Sequence, residues 1–162
     1  MDQITPTLWI NDGQIEAAVD FYCSLFEGSR ITGSNDYGPE AGDFAGQKMV
    51  VRFELQGQPY VALNGGDTSF TPNESVSFAV GCDSQEEVDR LWAALADGGT
   101  PGPCGWIKDR YGFSWQVTPT ALYKMLDDSD PEKVQRVTAA FMQVDGRQFD
   151  IAELEAAFEG RA

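Results

Sequence analysis

The 162-residue chain carries 26 acidic against 11 basic side chains, a formal net charge of −15, and no histidine. An acidic field of that size repels phosphate backbones and predicts no nucleic-acid partner; the missing imidazole excludes Ser-His-Asp catalysis and most zinc sites. With 42% hydrophobic and 23% charged residues the composition is that of a globular domain, and no run of about 18 apolar residues offers a membrane span.

The start, Met1-Asp2-Gln3, lacks the basic residues and apolar run of a secretory signal. Three cysteines, Cys23, Cys82 and Cys104, are an odd number at unrelated spacings. They read as free thiols in a reducing compartment, so the expectation is a cytoplasmic protein.

In chain order, residues 4–10 alternate in character and predict a strand, followed by a turn at Asn11-Asp12-Gly13. Ile15, Ala18, Val19, Tyr22 and Phe26 then recur at helical spacing, with Gly28 as the stop. Residues 30–46, rich in Gly, Asp, Asn and Pro, predict a short strand near Arg30–Gly33 and then a mobile loop. Lys48–Leu55 and Pro59–Leu63 flank Gln56-Gly57-Gln58 and predict a hairpin. A polar connector, Asn64–Glu74, leads to a strand at Val76–Val80. Ser84 with Glu87 three residues on predicts a capping box for a helix ending at Gly98-Gly99. Residues 100–105, with two prolines, allow only a brief edge strand. Trp106–Arg110 and Phe113–Thr118 pair around Tyr111-Gly112. Beyond Pro119 come three helical stripes: Leu122, Met125 and Leu126; Val134, Val137, Ala140 and Phe141; Ile151, Leu154 and Phe158. Asp130-Pro131 and Asp145-Gly146 separate them.

An offset of 70 residues superposes the apolar skeleton on itself: Leu8 on Phe78, Ile10 on Val80, Ala18 on Val88, Phe21 on Leu91, Tyr22 on Trp92, Leu25 on Leu95 and Gly28 on Gly98. This predicts an α+β fold of tandem βαβββ modules, residues 1–66 and 67–120, with a helical extension over 121–162, all in one domain.

Strand alternation separates two faces. Leu8, Ile10, Val61, Leu63, Phe78, Val80, Trp115 and Val117 are apolar and expected against the helices. Their alternates mix aromatic and hydrogen-bonding groups: Thr7, Trp9, Tyr60, Ala62, Asn64, Ser77, Ala79, Ser114, Gln116 and Thr118. Buried unpaired hydroxyls and amides cost about 1–3 kcal/mol each, which argues against a core; Trp9 and Tyr60 argue against plain surface. A wet small-molecule pocket reconciles the two, with Thr7, Trp9, Tyr60, Asn64, Ser77, Trp106 and Gln116 as candidate ligand contacts. Trp106 suits a cleft wall or a dimer contact equally.

Cys104, between Pro103 and Gly105, is either a thiol activated by Lys108 or a small residue at a strand edge; no positioned base is visible, which favours the second. Lys108-Asp109-Arg110 reads as a solvated turn, with Lys108 as an anion anchor in the alternative. Arg52 and Glu54 are expected to pair across their strand. Cys23 and Cys82 fall in or beside core elements.

The tandem βαβββ pattern resembles the vicinal-oxygen-chelate superfamily, which includes glyoxalase I, extradiol dioxygenases and bleomycin-resistance proteins. Several segments are similar to its PhnB-like family, also labelled 3-demethylubiquinone-9 3-methyltransferase. They are Ile4-Thr5-Pro6-Thr7-Leu8-Trp9, Phe21-Tyr22-Cys23-Ser24-Leu25-Phe26 and Ala62-Leu63-Asn64-Gly65-Gly66. Cys104-Gly105-Trp106-Ile107-Lys108-Asp109, Gly112-Phe113-Ser114-Trp115-Gln116-Val117 and the tail Asp130-Pro131-Glu132-Lys133 with Gln135-Arg136-Val137 extend the match over nearly the whole chain. The resemblance implies curved mixed sheets around a cleft, helices outside, and a homodimer.

In metal-dependent members four inward strand positions supply His and Glu ligands. The matching positions here are Thr7, Ala62, Ser77 and Gln116, none of them a competent ligand, so no metal and no cofactor are expected. An all-carboxylate site through Asp43, Glu54 or Asp67 stays open. The methyltransferase label lacks a strand-turn-helix cofactor cradle: Asn64-Gly65-Gly66-Asp67 follows a strand but leads into Ser, Phe, Thr and Pro. The expected function is metal-independent binding of a small organic ligand. The alternatives are an enzyme of unassigned class acting on a small carbonyl or quinone-like substrate, polarised by Gln116, Asn64 and Ser77 with Cys104 as an optional fourth group, and an interaction protein using the helical tail.

Overall fold

The computed structural model describes residues 4–11, 13–66 and 69–161; Met1–Gln3, Asp12, Asp67, Thr68 and Ala162 lie outside the described residues, and with them parts of the expected turn and carboxylate readings. The fold is α+β, with two compact units, residues 1–71 and 72–162. Each holds a four-stranded mixed sheet of the same order, so the repeat in the sequence is a repeat in topology.

In the first unit, β1 (Thr7–Ile10) leads into α1 (Ile15–Leu25), then β2 (Arg30–Asp36), β3 (Lys48–Leu55) and β4 (Gln58–Asn64), ordered β1-β4-β3-β2. β1 and β4 are parallel; the other pairs are antiparallel. α1 buries Ile15, Ala18, Val19, Tyr22 and Leu25. Tyr22 stacks on Phe53 of β3, ring centroids 6.5 Å apart.

One expected face is reversed. The β3–β4 turn holds two residues, Gln56 and Gly57, both at positive φ, so Leu55 pairs with Gln58, Phe53 with Tyr60 and Val51 with Ala62. A three-residue turn at Gln56-Gly57-Gln58 would have paired Phe53 with Val61. A one-residue slip sends every side chain of a strand to the opposite face. Ala62, fully buried, and Asn64 therefore join Leu8 and Ile10 on the α1 side. Val61 and Leu63 share the other face with Thr7 and Trp9. The sequence hides this because both alternates of β4 are apolar enough to be core.

Residues 30–46 are also more ordered than expected. β2 runs to Asp36, and Pro39–Phe44 forms 3-10 turns, with the Tyr37 ring tilted against Phe44 at 5.4 Å. The Tyr37 hydroxyl donates to the Asn64 carbonyl.

The second unit repeats the plan with β5 (Ser77–Cys82), α2 (Gln85–Ala96), β6 (Thr100–Pro101), β7 (Trp106–Lys108) and β8 (Ser114–Pro119), ordered β5-β8-β7-β6. Ser84 caps α2 as expected, accepting from the Glu87 amide at 3.2 Å, while the Glu87 carboxylate accepts from the Asp83 amide at 2.7 Å. α2 buries Val88, Leu91, Trp92 and Leu95. Here the face assignment agrees with the sequence: Phe78 and Trp115 pair, as do Val80 and Val117, and Ser77, Ala79, Ser114, Gln116 and Thr118 share the reverse side.

The extension forms α3 (Thr120–Leu126), α4 (Pro131–Phe141) and α5 (Ile151–Phe158) around Leu122, Met125, Val137, Val144, Phe149 and Leu154. It is sewn to the second sheet. The Gln85 amide donates to the Phe149 carbonyl and accepts from the Ile151 amide, both at 2.9 Å, and the Cys104 amide donates to the Val144 carbonyl at 2.7 Å. Among the described residues no helix is long and apolar enough to cross a membrane.

All three cysteines are free thiols. Burial pushes the Cys82 thiol up to about 11, and burial with the nearby Asp20 raises Cys23. With that pKa about one Cys82 in a thousand is thiolate at pH 8. Native protein treated with iodoacetamide at pH 8 is therefore expected to keep Cys82 unmodified by peptide mass spectrometry until denaturant is added. Modification in the folded protein would contradict the burial.

Candidate cleft on the second sheet

The face of the second sheet turned away from α2 is ordered in rows by strand pairing. Thr100, Lys108, Ser114 and Ser77 are successive cross-strand partners over β6, β7, β8 and β5. The next row holds Trp106, Gln116 and Ala79. A polar stripe of hydroxyls and one amine thus runs beside an indole and an amide.

Around β6 and β7 a cavity of about 350 Å³ is lined by Thr100, Trp106, Lys108 and Ser114 of this face, by Ile107 and the Pro101-Gly102-Pro103 segment at the sheet edge, and by Glu74. The short strands there follow from the prolines. The Gly102 amide donates to the Trp106 carbonyl and the Trp106 amide back to Pro103, at 2.8 and 2.9 Å, with Cys104 and Gly105 both at positive φ between them. Trp106, directly after that reversal, lines the cavity. Cys104 sits in the turn, its amide bound to the extension.

Two polar features distinguish the cavity. Ser114 is only 3% exposed, and its Oγ is buried with no hydrogen-bond partner among the described residues; such a group costs stability unless something pairs with it. Lys108 Nζ lies 2.6 Å from Glu74 Oε1. The hydrogen bond from Lys108 lowers the Glu74 pKa below the usual carboxylate range. Beside this pair, Gln116 Nε2 donates to Ser77 Oγ at 2.8 Å.

Asp109 departs from the solvated turn expected of Lys108-Asp109-Arg110. It is 4% exposed, and its carboxylate accepts from the Tyr111 and Phe113 amides and from Trp115 Nε1. Arg110 does pair at the surface, with Asp97 at 2.5 Å.

The predicted ligand contacts therefore separate. Trp106 lines the cavity, and Ser77 and Gln116 lie on the same face of the same sheet. Thr7 and Trp9 occupy the equivalent face of the first sheet. There Trp9 Nε1 donates to the Gly66 carbonyl at 3.2 Å and its ring meets Phe70 edge-on at 5.5 Å. Tyr60 and Asn64 lie on the α1 side instead. Tyr60 stacks on Phe53 at 5.4 Å, with its phenol pKa raised by burial. Asn64, 1% exposed, donates to the Lys48 carbonyl at 3.1 Å. Glu74, Thr100 and Ser114 were absent from the expected contacts. Ser114 lies on the face that strand alternation predicts, and its row position beside Lys108 is the signal that singles it out.

Of the carboxylates considered for a metal, Asp43 is exposed, Glu54 pairs with Arg30 at 2.8 Å, and Asp67 is not described. Arg52 donates to Asn35 at 2.9 Å, so the polar side of β3 does pair across to β2. Among the described residues no three His, Cys, Asp or Glu side chains converge.

The glycines after β4 have a packing reason. A Cβ on Gly65 would sit 1.9 Å from Trp9 Cζ2, and one on Gly66 2.9 Å from Phe44 Cζ. The Trp9 and Phe44 rings thus pack directly against the Gly65-Gly66 backbone.

A family model described as 3-demethylubiquinone-9 3-methyltransferase matches residues 2–118. Among solved structures, the chain is similar to a PhnB protein of Bacillus cereus whose description proposes 3-demethylubiquinone-9 3-methyltransferase. The two are 30% identical, the match covers 74% of this chain and 100% of that one, and the TM-score is 0.63. It is also similar to protein PA1353 of Pseudomonas aeruginosa, 25% identical, covering 74% of this chain and 98% of that one, with a TM-score of 0.59. No curated protein matches the chain.

Proposed function

The chain belongs to the 3-demethylubiquinone-9 3-methyltransferase family, and on that premise we propose that it binds a small organic molecule, without a metal, in the cavity over Trp106. The cavity itself carries this reading: Trp106, Thr100 and Lys108 line it together with Ser114, whose buried hydroxyl has no protein partner among the described residues and is satisfied if a ligand group reaches it. The walls suit the role. A few polar groups, Lys108, Glu74, Thr100 and Ser114, line a cavity whose remaining walls are Trp106, Ile107 and the Pro101-Gly102-Pro103 segment. Ser77 and Gln116 extend the polar stripe for a longer ligand.

Methyl transfer, the activity in the family description, needs a bound methyl donor. A nucleotide-type donor is held by backbone amides at a strand-turn-helix junction. The Gly65-Gly66 turn is filled by Trp9 and Phe44, and no helix follows β4 before β5 among the described residues. These residues do not fit such a group. The quinone-like ring of that description is retained as a candidate ligand.

The protein is further taken as a homodimer, which the family resemblance implies and light scattering checks, and as cytoplasmic with no nucleic-acid partner, readings supported by the free thiols and the strong acidity respectively. The main test is a panel of cationic, neutral, anionic and quinone-type aromatic compounds, followed by thermal shift and tryptophan fluorescence. At least one class is expected to raise Tm and quench fluorescence, and Trp106→Ala is expected to weaken that ligand about tenfold or more. A panel without any response removes the proposal. A response undiminished by Trp106→Ala moves the site elsewhere.

A further inference from the structure

The cavity over Trp106 already receives an anion from the protein itself. Glu74 Oε1 sits 2.6 Å from Lys108 Nζ, yet the Glu74 side chain is 61% exposed. It projects from the segment before β5, where Ser75 folds back on Asn73 Oδ1. Lys108 is the one cationic side chain lining the cavity among the described residues. Its cross-strand neighbour, Ser114, is the one lining residue with a buried polar side-chain atom and no partner.

We propose that the ligand is a small planar aromatic carboxylate, and that Glu74 is a tethered competitor which this ligand displaces from Lys108; the proposal rests on the ligand-binding reading above. Cross-strand partners place their Cβ atoms about 5 Å apart, so a single carboxylate can bridge them. One oxygen accepts from Lys108 Nζ and the other from Ser114 Oγ, while the ring lies along Trp106 between Pro101 and Pro103.

The energetics favour exchange. An exposed ion pair is worth little, and with Glu74 in place the Ser114 hydroxyl stays unpaired. An incoming carboxylate keeps the charge pairing and satisfies the hydroxyl as well. Competing ligand charges fare worse. A cation would meet Lys108, and a dianion such as a phosphate ester would enter an acidic molecule with one ammonium to receive it.

The test uses the whole 162-residue chain and three probes with one ring: benzoate, benzamide and benzamidinium. Each is titrated by calorimetry, with the Trp106 indole N–H followed by NMR. Benzoate is expected to move the Trp106 resonance and to bind about tenfold tighter than benzamide, as a charge-assisted pair dictates. Glu74→Gln is expected to tighten benzoate about fivefold and leave benzamide unchanged. Lys108→Met should erase the preference, and Ser114→Ala should weaken benzoate while Tm of the unliganded protein holds or rises. Benzamide or benzamidinium binding at Trp106 as tightly as benzoate overturns the carboxylate assignment while leaving the pocket standing. Equal benzoate affinity in wild type and Glu74→Gln overturns the competitor role. Silence of Trp106 with all three rings overturns the pocket itself.

Discussion

Replacing Gly105 with alanine is expected to lower the unfolding free energy by about 3 kcal/mol, from a close contact and a backbone conformation together. Gly105 has φ +76°, where an L side chain is strained. A Cβ there would lie 2.4 Å from Cε2 of the Phe149 ring and 2.9 Å from the Val117 carbonyl oxygen. Neither neighbour can yield cheaply. Phe149 is enclosed in the core of the helical extension, and the Gly105 carbonyl is held by the Val117 amide at 2.9 Å. Gly146 separates the two causes. It has φ +65° with nothing within 4 Å of its Cβ position. Gly146→Ala should therefore cost only the conformational part, about 1 kcal/mol. Urea unfolding of both variants, compared at unchanged slope, measures the difference, and equal losses would show that the Phe149 contact contributes nothing. Because Gly105 immediately precedes Trp106, the same variant is expected to blunt the tryptophan response to any cavity ligand.

That contact shows how far the sequence could be read. The repeat, the helix spans and the second sheet's two faces were legible because each rests on a local period: apolar residues at helical spacing, or strict alternation as in Ser114-Trp115-Gln116-Val117. The first sheet's face at β4 was not. Its side depends on whether the turn at Gln56-Gly57 takes two residues or three, and Tyr60, Ala62 and Asn64 look as suited to a pocket as to a core. The cavity was half legible. Trp106, Ser77 and Gln116 could be placed on the open face, but Glu74 joins them from a connector with no periodicity, through an ion pair to Lys108 that only three-dimensional proximity reveals. The packing of Phe149 on Gly105, 44 positions earlier in the chain, belongs to the same class of long-range contact. Asp109 is hidden for the opposite reason. Flanked by Lys108 and Arg110 it reads as surface, yet its carboxylate faces inward while its neighbours face out.

Removing that carboxylate with Asp109→Ala is expected to cost about 4 kcal/mol. Asp109 Oδ1 accepts from the Tyr111 amide at 2.8 Å and the Phe113 amide at 3.1 Å, and Oδ2 from Trp115 Nε1 at 2.8 Å. Truncation removes the shared acceptor of three hydrogen bonds, one of them from a buried indole N–H, at roughly 1–3 kcal/mol each before water or other neighbours compensate. Asp109→Asn separates charge and geometry. Its oxygen can keep both amide contacts, but its NH2 then faces the Trp115 N–H, donor against donor, so about half the loss is expected. The consequence reaches the cleft, because this turn joins Lys108 at the end of β7 to Ser114 at the start of β8 and thereby sets the pairing of the two groups proposed to hold a carboxylate. Benzoate affinity and urea stability should therefore fall together in Asp109→Asn, with a shift in Trp115 emission as its indole loses its acceptor. A variant as stable as wild type, with Trp115 emission unchanged, would show that the indole bond does not hold this turn.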